Sequence, residues 1–165
     1  MAYQNHFRLV DDVVVHLDRA VASVDPFIQS RYAGFYAVSV ATVVELSVKE
    51  IVIDFASSKS SVFGEYVTRK YDRLNARVSY KDLKEILSAF GGDYSLRFSR
   101  MVERVDRFSV RSRRGSIIAS YGNLITCRHK FAHEGLVPSN STYEDVKKGF
   151  AAGKVVLECL RRALI

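Results

Sequence analysis

Apolar residues recur at Phe7, Val10, Val14, Leu17 and Val21, three and four apart with acids and arginines between them, and predict an amphipathic helix over residues 4–24. Pro26 stops it. From Phe27 to about Ser57 the chain is rich enough in Val and Ile for a strand, but a stretch of that length without a turn signal predicts one long helix. Glu45 and Lys49 form a favourable pair four apart on it. Ser57 to Ser61 reads as a polar connection. A charged helix follows over residues 63–77, with Tyr66, Tyr71 and Leu74 as its packing residues. Ser79 and Asp82, at capping-box spacing, open a short helix that ends at Gly91 and Gly92. The next helix carries Phe98, Met101, Val105 and Phe108 as an apolar stripe. Ile117, Tyr121 and Leu124 continue the helical spacing from Ser116, and Gly135 closes that helix. After a loop at Pro138 to Thr142, Ser141 and Glu144 suggest a second capping box. The last helix has the core line Val146, Phe150, Gly153, Leu157 and Leu160. Gly149 and Gly153 either admit a close neighbour, the preceding helix first, or are incidental. The expected fold is all-α, a helical bundle forming a single domain over residues 1–165.

Two segments depart from a pure packing pattern. Extending the line of Leu124 by four and then three residues reaches Arg128 and Phe131, so an arginine stands at an expected core position. His129 and His133, four apart, share one side of the final turn. The second segment is a stripe in which Arg97, Arg100, Arg104, Arg107 and Arg111 are spaced three, four, three and four. Arg113 and Arg114 prolong it into the following loop. Only Glu103 and Asp106 offset it, whereas a solvated helix face usually mixes its signs. The pattern points to phosphate-backbone contact, with Lys130 as a further cation.

Arg128, His129 and His133, an arginine followed by a polar residue and then a histidine five positions after it, resemble the signature of the HEPN superfamily (higher eukaryotes and prokaryotes nucleotide-binding). The apolar helix before the motif, the glycine after it and the closing amphipathic helix extend the resemblance over roughly the last third of the chain. The long apolar helix and the segment Ser79 to Phe90 share it more loosely. Glu134 separates His133 from the glycine, and no tyrosine stands two places after His133 for a partner to modify. The resemblance implies a helical bundle, a homodimer that joins two motifs in one cleft, and a metal-independent ribonuclease acting as a toxin or defence effector, of the kind found with prokaryotic antitoxins.

Charge supports a polyanionic partner. Residues 1–80 hold nine basic and nine acidic side chains and residues 81–165 hold sixteen and nine, so the whole net charge of +7 lies in the half with the motif. The two cysteines, Cys127 and Cys159, form no disulfide framework, and the N-terminal segment is charged where a signal peptide is apolar, which implies a cytoplasmic protein. The longest uncharged, apolar-looking stretch, Tyr32 to Val44, is thirteen residues, short of the roughly 20 that span a bilayer. No membrane segment is expected.

Four chemical readings of the motif are open. The histidine pair could share zinc, with Cys127, Glu134, His6 or His16 as further ligands. Cys127 could act as a nucleophile, or the histidines could merely favour the helix dipole. RNA cleavage needs a base for the ribose 2′-hydroxyl, an acid for the leaving 5′-oxygen and a cation for the charged phosphorane; His133 suits the first two roles and Arg128 the third, with His129 orienting His133 or the phosphate. No cofactor or metal is expected in that reading. A non-catalytic module binding RNA, nucleotide or an antitoxin partner is the alternative.

Overall fold

The computed structural model describes residues 2–72, 74 and 78–165. A 3-10 turn at Ala2–His6 leads into α1 (Phe7–Val21), α2 (Pro26–Lys59), α3 (Ser61–Tyr71), α4 (Tyr80–Phe90), α5 (Gly92–Arg111), α6 (Ile117–Glu134) and α7 (Tyr143–Ala163). Among the described residues there is no strand, and no helix is long and apolar enough to cross a membrane.

The central element is α2. The Asp25 carboxylate starts it by accepting from the Phe27 and Ile28 amides at 2.9 and 3.2 Å, with Pro26 in the first turn where its missing N–H costs nothing. Its 34 residues span about 51 Å. Ala33, Tyr36, Val40, Val44, Val48, Val52 and Ala56 are buried along its length, and α1, α3, α6 and α7 pack against it. The helix is apolar around most of its circumference because neighbours cover most of it. Contacts fix the directions: Gly135 and Phe131 at the end of α6 meet Arg31 and Gly34 at the start of α2, whereas Tyr121 and Gly153 meet near Val44. Thus α6 runs antiparallel to α2, and α7 runs back alongside both.

Close approach of α6 and α7 is set by Gly149, where an added Cβ would lie 2.6 Å from the Leu124 Cβ and 3.1 Å from the Ser120 carbonyl. Around Gly153 an added Cβ would find ordinary contact distances, the nearest being 3.5 Å to Val44. Gly149 is therefore the residue that requires glycine. Both cysteines are free and buried in the core.

Several local expectations change. The 57–61 connection shrinks to Ser60, extended at φ −165°, because α2 continues through Ser57 and Ser58 to Lys59. The first helix divides into the 3-10 turn and α1. Tyr71 and Leu74 are buried but Tyr66 is 58% exposed, and the expected helix end at Arg77 lies outside the described residues. The Ser79–Asp82 box is present, with Ser79 N–H donating to Asp82 at 2.9 Å and Asp82 N–H to Ser79 at 3.2 Å. At α7 the box is formed by Thr142 and Asp145, one residue beyond the expected Ser141 and Glu144. On α5 the buried line is Ser95, Phe98, Ser99, Val102 and Ser109, with Met101 and Val105 half-buried and Phe108 exposed. Ten residues fall about 80° short of three full turns, so Phe108 cannot hold the face that Phe98 occupies.

Candidate active site

The motif helix is anchored at its start. Ser116 caps α6 by accepting from the Ala119 amide at 3.1 Å and donates its own hydroxyl to Asp106 on α5 at 2.8 Å. The same Asp106 oxygen accepts from the Ile118 amide at 3.0 Å. Burial pushes the Asp106 carboxyl up, but the amide and hydroxyl donors from Ile118, Ser116 and Ile117 outweigh it and hold the group below the usual carboxylate range. Further along, Tyr121 is fully buried and donates to the Val78 carbonyl, and Leu124 fills the space over Gly149.

In the last turns the buried position is Cys127 rather than Arg128. Both lie within one helical step of the Leu124 line, and the bundle takes the smaller, neutral side chain inward. Burial pushes the Cys127 thiol up, away from the thiolate that a nucleophile needs. Phe131 lies over Gly34, where an added Cβ would overlap the ring, and meets Phe35 edge-on with ring centroids 5.1 Å apart. Gly135 takes the left-handed conformation, φ 67° and ψ 13°, and its amide closes the helix on the Phe131 carbonyl at 3.0 Å. Arg31 donates to the Gly135 carbonyl and lies 5.1 Å from the centroid of the Phe27 ring. The start of α2 is thus a platform that fixes where the motif helix ends.

Arg128, His129 and His133 project from that platform. Arg128 is half-buried and has no carboxylate partner among the described residues. His129 and His133 are exposed, their ring centroids 4.6 Å apart at 54°. Lys130 is exposed on the same turn. The site therefore offers an uncompensated guanidinium beside two adjacent, solvent-accessible imidazoles. Among the described residues no three His, Cys, Asp or Glu side chains are grouped to hold a metal; His6 is engaged with Glu50 at 2.8 Å.

All seven arginines from Arg97 to Arg114 are exposed, and Arg97 also lies 6.0 Å from the centroid of the Tyr94 ring. The fold does not bring them onto the motif within one chain. Helix α5 meets α6 at Ser116 and Ile118, and twelve residues of helix, about 18 Å, separate Ser116 from Arg128. Glu45 does pair with Lys49, at 3.5 Å.

Two residues that position the motif helix carry no sequence signal as such: Arg31, which holds the closing carbonyl, and Asp106, which reads in the sequence only as a charge offsetting the arginines. Gly34 is the one cue near the platform, a glycine inside an otherwise continuous helix pattern.

The profile of the RiboL-PSP-HEPN family matches residues 5–165. The chain belongs to this family. The HEPN resemblance of the Arg128 to His133 motif and the all-helical fold thus extend over nearly the whole chain, far beyond its last third. No curated protein and no solved structure matches it. HEPN domains are generally related to ribonucleases.

Proposed function

We propose that this HEPN protein is a metal-independent RNA endonuclease, acting in the cytoplasm as a toxin or defence effector, with an active site composed at a homodimer cleft. The observation that carries the reading is Arg128: a half-buried guanidinium with no carboxylate partner among the described residues, next in the chain to the first of two exposed imidazoles. A cation left uncompensated in a folded protein is available for an external anion, and arginine binds phosphate bidentately. Histidine is the side chain best suited to move protons near neutral pH.

In the proposed reaction the ribose 2′-oxygen attacks phosphorus as the bond to the 5′-oxygen breaks. One His133 takes the 2′-hydroxyl proton, and a second His133 across the cleft gives a proton to the leaving 5′-oxygen. Arg128 stabilises the extra negative charge on the phosphorane, and His129 orients its neighbour. In-line displacement places acid and base on opposite sides of phosphorus, which a two-fold axis satisfies with one residue type. Apolar side chains beside the motif support that axis. Phe27, Phe35 and Leu136 are 63%, 59% and 58% exposed, apolar surface suited to a second copy. An antitoxin would restrain the enzyme by covering the same cleft.

The test is incubation of the purified protein with single-stranded RNA in excess chelator. Cleavage to products ending in 2′,3′-cyclic phosphate, with DNA of the same sequence intact for want of the attacking hydroxyl, is the expected result. RNA that is bound and recovered whole would replace this reading with a non-catalytic binding module, and chelator-sensitive cleavage would refute the mechanism.

A further inference from the structure

The end of α5, the start of α6 and the middle of α7 enclose a cleft of about 440 Å³ that the motif does not use. Its lining is mostly apolar, with Val105, Phe108, Ile117, Ala152 and Val155 among its residues, and it includes the cations Arg114 and Lys148. Phe108 is 66% exposed, an unusual condition for a phenylalanine at a cleft. On the helix it lies between Arg104 and Arg111, four residues before and three after, so one ring is flanked by two guanidinium groups on the same face. Lys148 shares its charge with Asp145 at 3.6 Å, and Asp106 is committed to the cap of α6. The arginines have no such restraint among the described residues.

The loop between α5 and α6 adds a second observation. Arg113 has φ 58°, the only positive φ outside glycine among the described residues. Its amide donates to the Val110 carbonyl and that of Arg114 to the Ser109 carbonyl, both at 3.0 Å. This is a helix-ending motif in which glycine is the usual occupant of the left-handed position. An arginine there carries a conformational cost that glycine avoids. The local structure does not call for it, whereas a cationic loop at the edge of the cleft does.

We propose that this cleft is an accessory site for single-stranded RNA, in which one base stacks on Phe108 and the adjoining phosphates are held by Arg104, Arg111, Arg113 and Arg114. Apolar wall, exposed aromatic ring and interleaved arginines are the combination that binds a strand without reading its sequence, since every base has a stacking face and every nucleotide a phosphate. The site lies towards the opposite end of α6 from Arg128, so it holds a flank of the strand rather than the bond to be cut. The proposal rests on RNA being the ligand of this protein, but not on cleavage.

A 2′-O-methyl RNA of about eight nucleotides, which lacks the attacking hydroxyl, tests it by equilibrium binding over a salt series, with the mass of the protein measured in parallel. Phe108→Ala should weaken binding at least about fivefold, the loss of one stacked base, with an unchanged salt slope, and Phe108→Tyr should restore it. Arg114→Gln should flatten the logarithmic salt slope by about 0.7. Arg113→Gly should raise Tm yet weaken binding, a combination that a purely structural role for the loop would not produce. Unchanged affinity in Phe108→Ala and Arg113→Gly overturns the accessory site, and if the wild type still cleaves RNA the nuclease reading survives that failure. Phe108-dependent binding by a protein that cleaves no RNA would support the site and remove the nuclease. A fall in mass on Phe108→Ala would overturn the site in favour of an interface between copies.

Discussion

At its N-terminal end α6 is held by groups that satisfy one another. Ser116 and Asp106 complete its first turn, Tyr121 reaches the Val78 carbonyl, and Leu124 occupies the space left by Gly149. At its C-terminal end the backbone is equally well fixed, by Gly135, Arg31 and Phe131 on Gly34, but half-buried Arg128 and exposed His129 and His133 are left without carboxylate partners among the described residues. Hydrogen bonds and packing at one end serve to hold the other in place. A site that must bind a charged substrate needs a rigid backbone beneath side chains whose polar capacity is unspent. The comparison predicts that substitutions at the first end cost stability, and substitutions at the second cost activity.

The largest loss of stability is expected at Gly149. Gly149→Val drives its branched side chain into Leu124 and the Ser120 carbonyl, which should cost about 1–3 kcal/mol and lower Tm by several degrees in a thermal melt. Asp106→Ala comes next, at about 1–2 kcal/mol, because it leaves the Ile118 amide and the Ser116 hydroxyl without their acceptor. Its pH dependence has a definite sign. The folded Asp106 carboxyl lies below its ordinary value, so its contribution is full above about pH 4 and fades as acid protonates it. The Tm gap between wild type and Asp106→Ala should therefore close on acidification; a gap that widened would contradict the role assigned to Asp106. Arg128→Ala, on the open end, should change stability by no more than about 0.5 kcal/mol.

What could be read from the sequence follows the same division. Helical periodicity located α1, α5, α6 and α7, length without a turn signal decided α2, and caps and glycines placed α4, while Gly135 marked the end of the motif helix because a left-handed closure favours glycine. The capping box of α4 was legible because Ser79 and Asp82 have no rival pair nearby. At α7, Ser141 with Glu144 and Thr142 with Asp145 have the same spacing and equivalent chemistry, so only the packing of Val146 and Phe150 decides the register. Arg128 and Cys127 were ambiguous for a related reason. A 3.6-residue period permits either step from Leu124, and the cost of burying a guanidinium settles it only once the neighbours are known. Phe108 counted as core because any apolar residue at helical spacing does, but its place about 80° from the Phe98 face turns it to the solvent. Arg31 lay furthest from view, since its role depends on a carbonyl more than a hundred residues away.

The most direct test of the account is cleavage of single-stranded RNA by Arg128→Ala and His133→Ala beside the wild type, in excess chelator and with thermal melts of the same preparations. Because both groups are assigned roles in the transition state, each variant should lose at least about a hundredfold in rate while keeping its melting temperature nearly intact, with a much smaller loss of RNA affinity, confined to Arg128→Ala. Undiminished cleavage by His133→Ala would contradict it.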